Sequence, residues 1–199
     1  MTEQNSQSFS VPGTLKPFLG NPMEICVVTK DYKRTISSLH NLGIGPWRIY
    51  RFSPSNTTNQ TYNGTSSAFE GMFCFAEFQT SGGATDAAAS NSSPTNMVYE
   101  VIQPVSGPSI FQDFLDEHGE GIHHIAYDCN NVPFEDRLKE FKDRGFKLVQ
   151  GGSFMGRNHF AFFTEEGQDR TGTCFETYEF PSDWEYPEPE EWYPPKKSA

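Results

Sequence analysis

The chain has 199 residues, with 26 Asp and Glu against 15 Lys and Arg and a formal net charge of −11. That balance argues against nucleic acid and anionic membrane as partners, because both are held by basic patches, and no stretch approaches the roughly 20 apolar residues of a membrane span. The length suits one domain or two small ones sharing a core, and 18 Phe supply ample apolar material for it.

The N-terminal arm, residues 1–21, begins MTEQNSQSFSVPGTLKPF. It lacks the basic-then-apolar pattern of an export signal, so a cytoplasmic location is expected. EICVV (24–28) reads as a strand. KDYKRTISSLHNLG then places Ile36, Leu39 and Leu42 at helical spacing, with Gly43 as a stop. WRIYRF (47–52), FEGMFCFAEF (69–78) and MVYEVI (97–102) resume strand character. The Ser/Asn/Gly-rich stretches between them, including TSGGATDAAASNSSPTN (80–96), read as loops. The N-x-S/T sequons at Asn56, Asn59, Asn63 and Asn91 are by-products of that composition. Together these elements make a first module, 22–104.

Residues 105–121 carry a short linking helix in SGPSIFQDFLDEHGEG. HIAYDC (124–129) is again a strand, and NNVPFEDRLKEFKDRG sets Phe134, Leu138 and Phe141 on one helical face before Gly145. FKLVQ, HFAFFT (159–164) and CFETYEF (174–180) complete a second module, 122–181. The order β-α-β-β-β is therefore written twice. Glu24 to Asp31 spans seven positions, as does His124 to Asn131, and Asp31 and Asn131 sit where helix N-caps are expected. The Pro/acidic/aromatic tail, 182–199, has too much proline for regular structure. It is either an extended arm on the surface or a disordered acidic tail. Cys26, Cys74, Cys129 and Cys174 form no C-x-x-C pair and lie in strand-like runs, which reads as reduced, buried thiol.

Side chains alternate across a strand, so one parity defines what a face is for. In HIAYDC one face carries His124 and Ala126; in EICVV one face carries Glu24, Cys26 and Val28. Each begins with an ionisable residue and continues with something small, as a strand lining a cavity should. The last strands of the two modules place Glu100 and Glu176 among apolar residues. A buried carboxylate is costly unless paired, protonated or bound to metal, and here two recur at matching points. His123, of opposite parity to His124, reads as a bystander. His40 and His118 read as structural, and His159 as either a substrate contact or a solvent-exposed residue.

VVTKD, LGIGPW, YEVIQP, GEGIHHIAY and CFETYEFP carry a resemblance to the vicinal oxygen chelate superfamily, which includes glyoxalase I and methylmalonyl-CoA epimerase. It runs from about Pro22 to Pro181. The resemblance implies an α+β fold in which two βαβββ modules form an open, cup-shaped mixed sheet with helices outside. It implies metal ligands Glu24, Glu100, His124 and Glu176, with Glu24 standing where the family has His or Gln. Three carboxylates and one imidazole suit a divalent ion such as Mg²⁺, Mn²⁺, Fe²⁺, Co²⁺ or Zn²⁺. Without metal, like charge would force one carboxylate to keep a proton, giving a general acid and base pair.

The expected function is an isomerase, epimerase or lyase moving a proton beside a carbonyl of a small oxygenated substrate, with Glu24 and Glu176 catalytic. Glu70 and Glu77 fall where the epimerases carry a further carboxylate. The alternatives are a metal-free acid–base cyclase or isomerase, a ligand-binding or resistance protein, and an extradiol-type dioxygenase, which needs two His and one carboxylate. Phe73, Phe75, Trp47, Phe160 and Phe162 are candidate wall residues, favouring a hydrophobic substrate; the chain has no evident basic cluster for coenzyme A phosphates. The modules pair either within one chain or across a homodimer.

Overall fold

The computed structural model describes residues 16–77, 97–167 and 171–196. The first half runs β1 (Pro22–Val28), α1 (Tyr32–His40), β2 (Trp47–Phe52), β3 (Thr57–Tyr62), β4 (Thr65–Ser66), β5 (Glu70–Glu77) and β6 (Val98–Ser106). The second runs α2 (Ile110–Glu117), β7 (Gly121–Tyr127), α3 (Phe134–Asp143), β8 (Phe146–Phe154), β9 (Asn158–Glu165), β10 (Cys174–Glu179) and β11 (Glu191–Tyr193). All these strands join one mixed sheet in the order β11-β2-β5-β6-β1-β7-β10-β9-β8-β3-β4.

At the centre β1 pairs antiparallel with β7, and each has its own half's last long strand parallel on its other side: β6 beside β1, β10 beside β7. The halves therefore meet within one chain. The sheet is strongly curled. β2 and β8 stand seven places apart in the order, which in a flat sheet would separate them by roughly 34 Å at about 4.8 Å per strand. Yet the Phe52 and Phe154 rings stack at 4.1 Å. Phe52 also stacks on Phe73 at 4.1 Å, so the inner face is closed by aromatic contacts. The outer face is covered by helices. Ile36 of α1 packs with Trp47, Ile49, Cys74 and Val101, and Phe141 of α3 packs with Phe163, Ala161 and Phe18.

Several local expectations are corrected. Leu42 does not belong to the buried stripe of α1: the helix ends at His40, Gly43 turns with φ +90°, and Leu42 is 79% exposed. Asp31 does cap α1, accepting from the Arg34 N–H. Asn131 does not cap α3. Cys129, Asn130 and Asn131 form a short 3₁₀ turn in left-handed conformation, which Asn tolerates, and Pro133 takes the cap position without a side-chain bond. The stretch after Asn56, read as loop, folds as the hairpin of β3 and β4. Its strands are polar because they form the sheet's edge, with only Thr57 and Gln60 buried. The tail is not without regular structure: Glu191–Tyr193 lies between prolines and is long enough to pair with β2. The low-complexity segment 80–96, the Asn91 sequon and most of the N-terminal arm lie outside the described residues. The four cysteines are free and buried, and no helix among the described residues is long and apolar enough to cross a membrane.

Candidate metal centre and its aromatic cavity

The register of the four central strands explains how the ionisable residues converge. Along one row Glu24 lies opposite Ala126, and Ala126 lies opposite Glu176. Along the next, Glu100 lies opposite Cys26, and Cys26 lies opposite His124. Each row thus sets two long polar side chains on either side of a small residue, and the curl of the sheet tips their ends together. One ligand atom from each of Glu24, Glu100, His124 and Glu176 falls within 4.8 Å of all the others. All four are buried, His124 completely.

His124 Nε2 lies 3.2 Å from Glu100 Oε2 and 3.1 Å from Glu176 Oε2. That nitrogen carries at most one hydrogen, and it is directed at Glu100. Glu176 Oε2 therefore has proximity but no hydrogen bond from that ring, although it is buried. A buried carboxylate oxygen with no donor is costly, and a cation among these four groups would supply what it lacks. With the clustering of the donor atoms, this makes the residues fit a divalent ion.

The electrostatics agree with that picture. Burial pushes the Glu24 carboxyl well above the usual carboxylate range, and the Glu100 and Glu176 charges push it further. Burial also raises Glu100, against a lowering by its bond to His124. For His124 burial works downward, but the Glu176 and Glu100 charges win and lift the ring to about 9. Without metal the cluster thus holds a charged His124 ring beside a neutral Glu24 carboxyl. The Cys26 thiol is held neutral by burial and by Glu100.

His123 is not the bystander that simple alternation implies. Cys26 pairs with His124 but Val27 pairs with Ile122, so β7 carries a bulge at His123 that breaks the two-residue period. Its ring is buried, and its Nδ1 lies 2.9 Å from His124 Nδ1. Burial and the neighbouring His124 hold it well below the usual histidine range, hence neutral. A neutral His123 accepts from the His124 Nδ1–H, leaving His124 Nε2 as the nitrogen facing the carboxylates. The doubled His in the sequence was the available signal; the bulge was not legible.

Glu24, Glu100 and Glu176 open into a cavity of about 50 Å³ whose walls include Phe52, Phe73, Phe75, Phe154, Phe160 and Phe162. Tyr178 also lines it, and burial, with the Glu24 and Glu176 charges, keeps its phenol neutral far above its usual range. Trp47 is not a wall residue: it is buried on the outer side under α1, donating to the Ile44 carbonyl. His159 is not brought to the cavity either. Its neighbours Asn158 and Phe160 line the cavity, while His159 is exposed on the outer face beside Phe134. Glu70 pairs with Arg51 and Glu77 with Arg48, and neither lines the cavity. His40 ends α1 against the Tyr193 ring and His118 ends α2.

Comparisons with known proteins give the same frame. Residues 23–163 match the family model described as Glyoxalase/Bleomycin resistance protein/Dioxygenase superfamily. Among curated proteins, the uncharacterised Bacillus subtilis protein YqjC is 32% identical over 59 residues, a segment spanning 30% of this chain and 41% of that protein. Among solved structures, a hypothetical protein from Bacillus halodurans aligns with a TM-score of 0.53 at 18% identity, over 83% of this chain and 98% of that one. A Streptomyces coelicolor methylmalonyl-CoA epimerase variant, solved with 2-nitronate-propionyl-CoA, aligns at 0.51 and 15% identity over 85% and 99%. At such identities the solved structures speak for the fold. A curled sheet of two equivalent halves, together with a family match over most of its length, places the chain in the glyoxalase/bleomycin resistance protein/dioxygenase superfamily, the vicinal oxygen chelate fold.

Proposed function

We propose that this protein is a metal-dependent isomerase, epimerase or lyase that moves a proton at a carbon next to a carbonyl. The observation that carries the reading is the convergence of Glu24, Glu100, His124 and Glu176 to within 4.8 Å at the floor of an apolar cavity. A divalent ion held by these four would polarise a substrate oxygen and stabilise negative charge developing on it. The chain's own residues do the rest. Glu24 and Glu176 face each other across Ala126, where carboxyl groups on either side of a shared substrate carbon would take its proton and return it. The phenyl walls exclude water, which strengthens each of these interactions, and they favour a hydrophobic oxygenated substrate.

Metal content by elemental analysis of untagged protein tests the reading, repeated on Glu100→Ala and His124→Ala. Near-stoichiometric metal in wild type and its loss in both variants are expected. Folded protein that takes up no Mn²⁺, Co²⁺ or Zn²⁺ would refute it. A metal-free acid–base isomerase or cyclase is the second reading, favoured by the neutral Glu24 carboxyl beside two further carboxylates. An extradiol-type dioxygenase is disfavoured: among the described residues the cluster holds one imidazole, with His123 bonded to His124 and His159 on the outer face.

A further inference from the structure

The cup described above is not open along its whole rim. After β10 the chain turns, with Trp184 N–H donating to the Pro181 carbonyl, and Phe180, Trp184 and Tyr186 all line the cavity. Their rings form one cluster: Phe180–Trp184 at 5.4 Å, Trp184–Tyr186 at 5.8 Å, and Trp184 against Phe154 at 6.4 Å. The segment is fixed beyond the cluster as well as before it. Tyr50 Oη donates to the Pro187 carbonyl at 3.0 Å, Glu190 N–H donates to the Ile49 carbonyl, and β11 pairs with β2.

We propose that this C-terminal strap makes the cup a chamber for a flat, tail-free aromatic molecule bearing adjacent oxygens, and excludes coenzyme A thioesters. Three observations carry this. First, the strap anchors on both sides of the aromatic cluster, so a long pantetheine tail could not leave the cup on that side without displacing it. Second, Arg48 is the one Lys or Arg lining the cavity among the described residues. It is already engaged, stacked 4.2 Å from the Tyr186 ring and paired with Glu77 at 3.3 Å, so it is poorly placed to hold coenzyme A phosphates. Third, the walls are mostly aromatic, and ring faces such as these suit a flat aromatic molecule.

The Trp184 indole is available to orient a ligand. Trp184 lines the cavity, and its indole N–H is buried with no partner. A buried donor without an acceptor is costly, and a ligand carbonyl or phenolate would meet that need. Placing the adjacent oxygens at the glutamate and histidine cluster rests on the function proposed above; the exclusion of thioesters by the strap does not.

The probes are 1-hydroxy-2-naphthoate, a flat bicycle with neighbouring oxygens, and methylmalonyl-CoA, the ligand of one structural neighbour. Each is titrated calorimetrically into the full chain, both Mn²⁺-loaded and EDTA-treated. The naphthoate should bind at least tenfold more tightly than the thioester. Trp184→Ala should weaken the naphthoate at least tenfold, and Trp184→Phe, which keeps an aromatic ring but loses the N–H, severalfold. Near-ultraviolet circular dichroism establishes that both variants are folded. Equal or tighter binding of methylmalonyl-CoA to wild type overturns the proposal, as does naphthoate binding that is absent or unchanged within twofold in both variants. Metal content read on the same samples separates the two ideas. Stoichiometric metal with a thioester preference removes the chamber and leaves the proton-transfer reading, whereas naphthoate preference in protein that takes up no metal does the reverse.

Discussion

If His124 is a metal ligand, metal affinity should depend steeply on pH between 7 and 9. The perturbation is pH alone. The ring is lifted to about 9 because Glu176 and Glu100 outweigh the cost of burial. It is then neutral in about 1% of molecules at pH 7 and about 50% at pH 9. Only the neutral ring can ligate, so apparent affinity should rise about 50-fold across that interval. A histidine at the ordinary value near 6.5 would give less than about twofold. The neutral Glu24 carboxyl must also lose its proton, which steepens the rise in the same direction. Competition for Zn²⁺ against a fluorescent chelator calibrated at pH 7, 8 and 9 measures the effect. Calorimetry in buffers of different ionisation enthalpy counts the protons released. A change below about threefold, with no proton released, would refute the electrostatic picture of the cluster.

Three further outcomes are expected. The metal-free protein should lose stability as pH rises from about 6.5 to about 9, because the folded His124 keeps a proton that the unfolded chain gives up. The shift to about 9 corresponds to about 3 kcal/mol; urea unfolding in EDTA across this range measures it, and a flat profile contradicts it. His123→Leu removes the acceptor 2.9 Å from His124 Nδ1 and should weaken metal binding about 10- to 100-fold. His123→Asn, which restores an acceptor, should recover part of the loss; equal effects of the two would argue for a packing role. Phe52→Ala removes the ring stacked between Phe73 and Phe154 and should cost about 3–5 kcal/mol, so a loss under about 1 kcal/mol in urea unfolding would mean the cup is not held by that stack.

Glu24, Glu100, His124 and Glu176 were legible because a buried strand tolerates few ionisable residues, and these stand at matched points of two similar modules. Parity along a strand was enough to put them on one face. It failed where the strand is not regular. The bulge in β7 turned His123 from a presumed outsider into a neighbour of His124, and nothing in single-residue alternation announces a bulge. For His159 the sequence leaves two alternatives, and the exposed one holds: β9 is regular there, and its parity sends it outward between two residues that line the cavity. The polar run Thr57–Tyr62 carries no apolar alternation because a strand so near the sheet's border buries little, only Thr57 and Gln60 here. The strap's place over the cavity depended on contacts between Tyr50 and Pro187 that span 137 positions, a distance that local patterning does not reach.

The placement of β3 has a consequence for how such a chain can be divided. β3 belongs by sequence to the first half but hydrogen-bonds to β8 of the second, while β11 at the far end of the chain returns to β2 of the first. Each half therefore lends a strand to the other. Cutting the chain in the turn at Gly107 would leave both pieces with an unsatisfied sheet border, and neither would be expected to fold alone. The two pieces mixed together could rebuild both borders by complementation. The two similar halves of this chain are thus interlocked and not interchangeable.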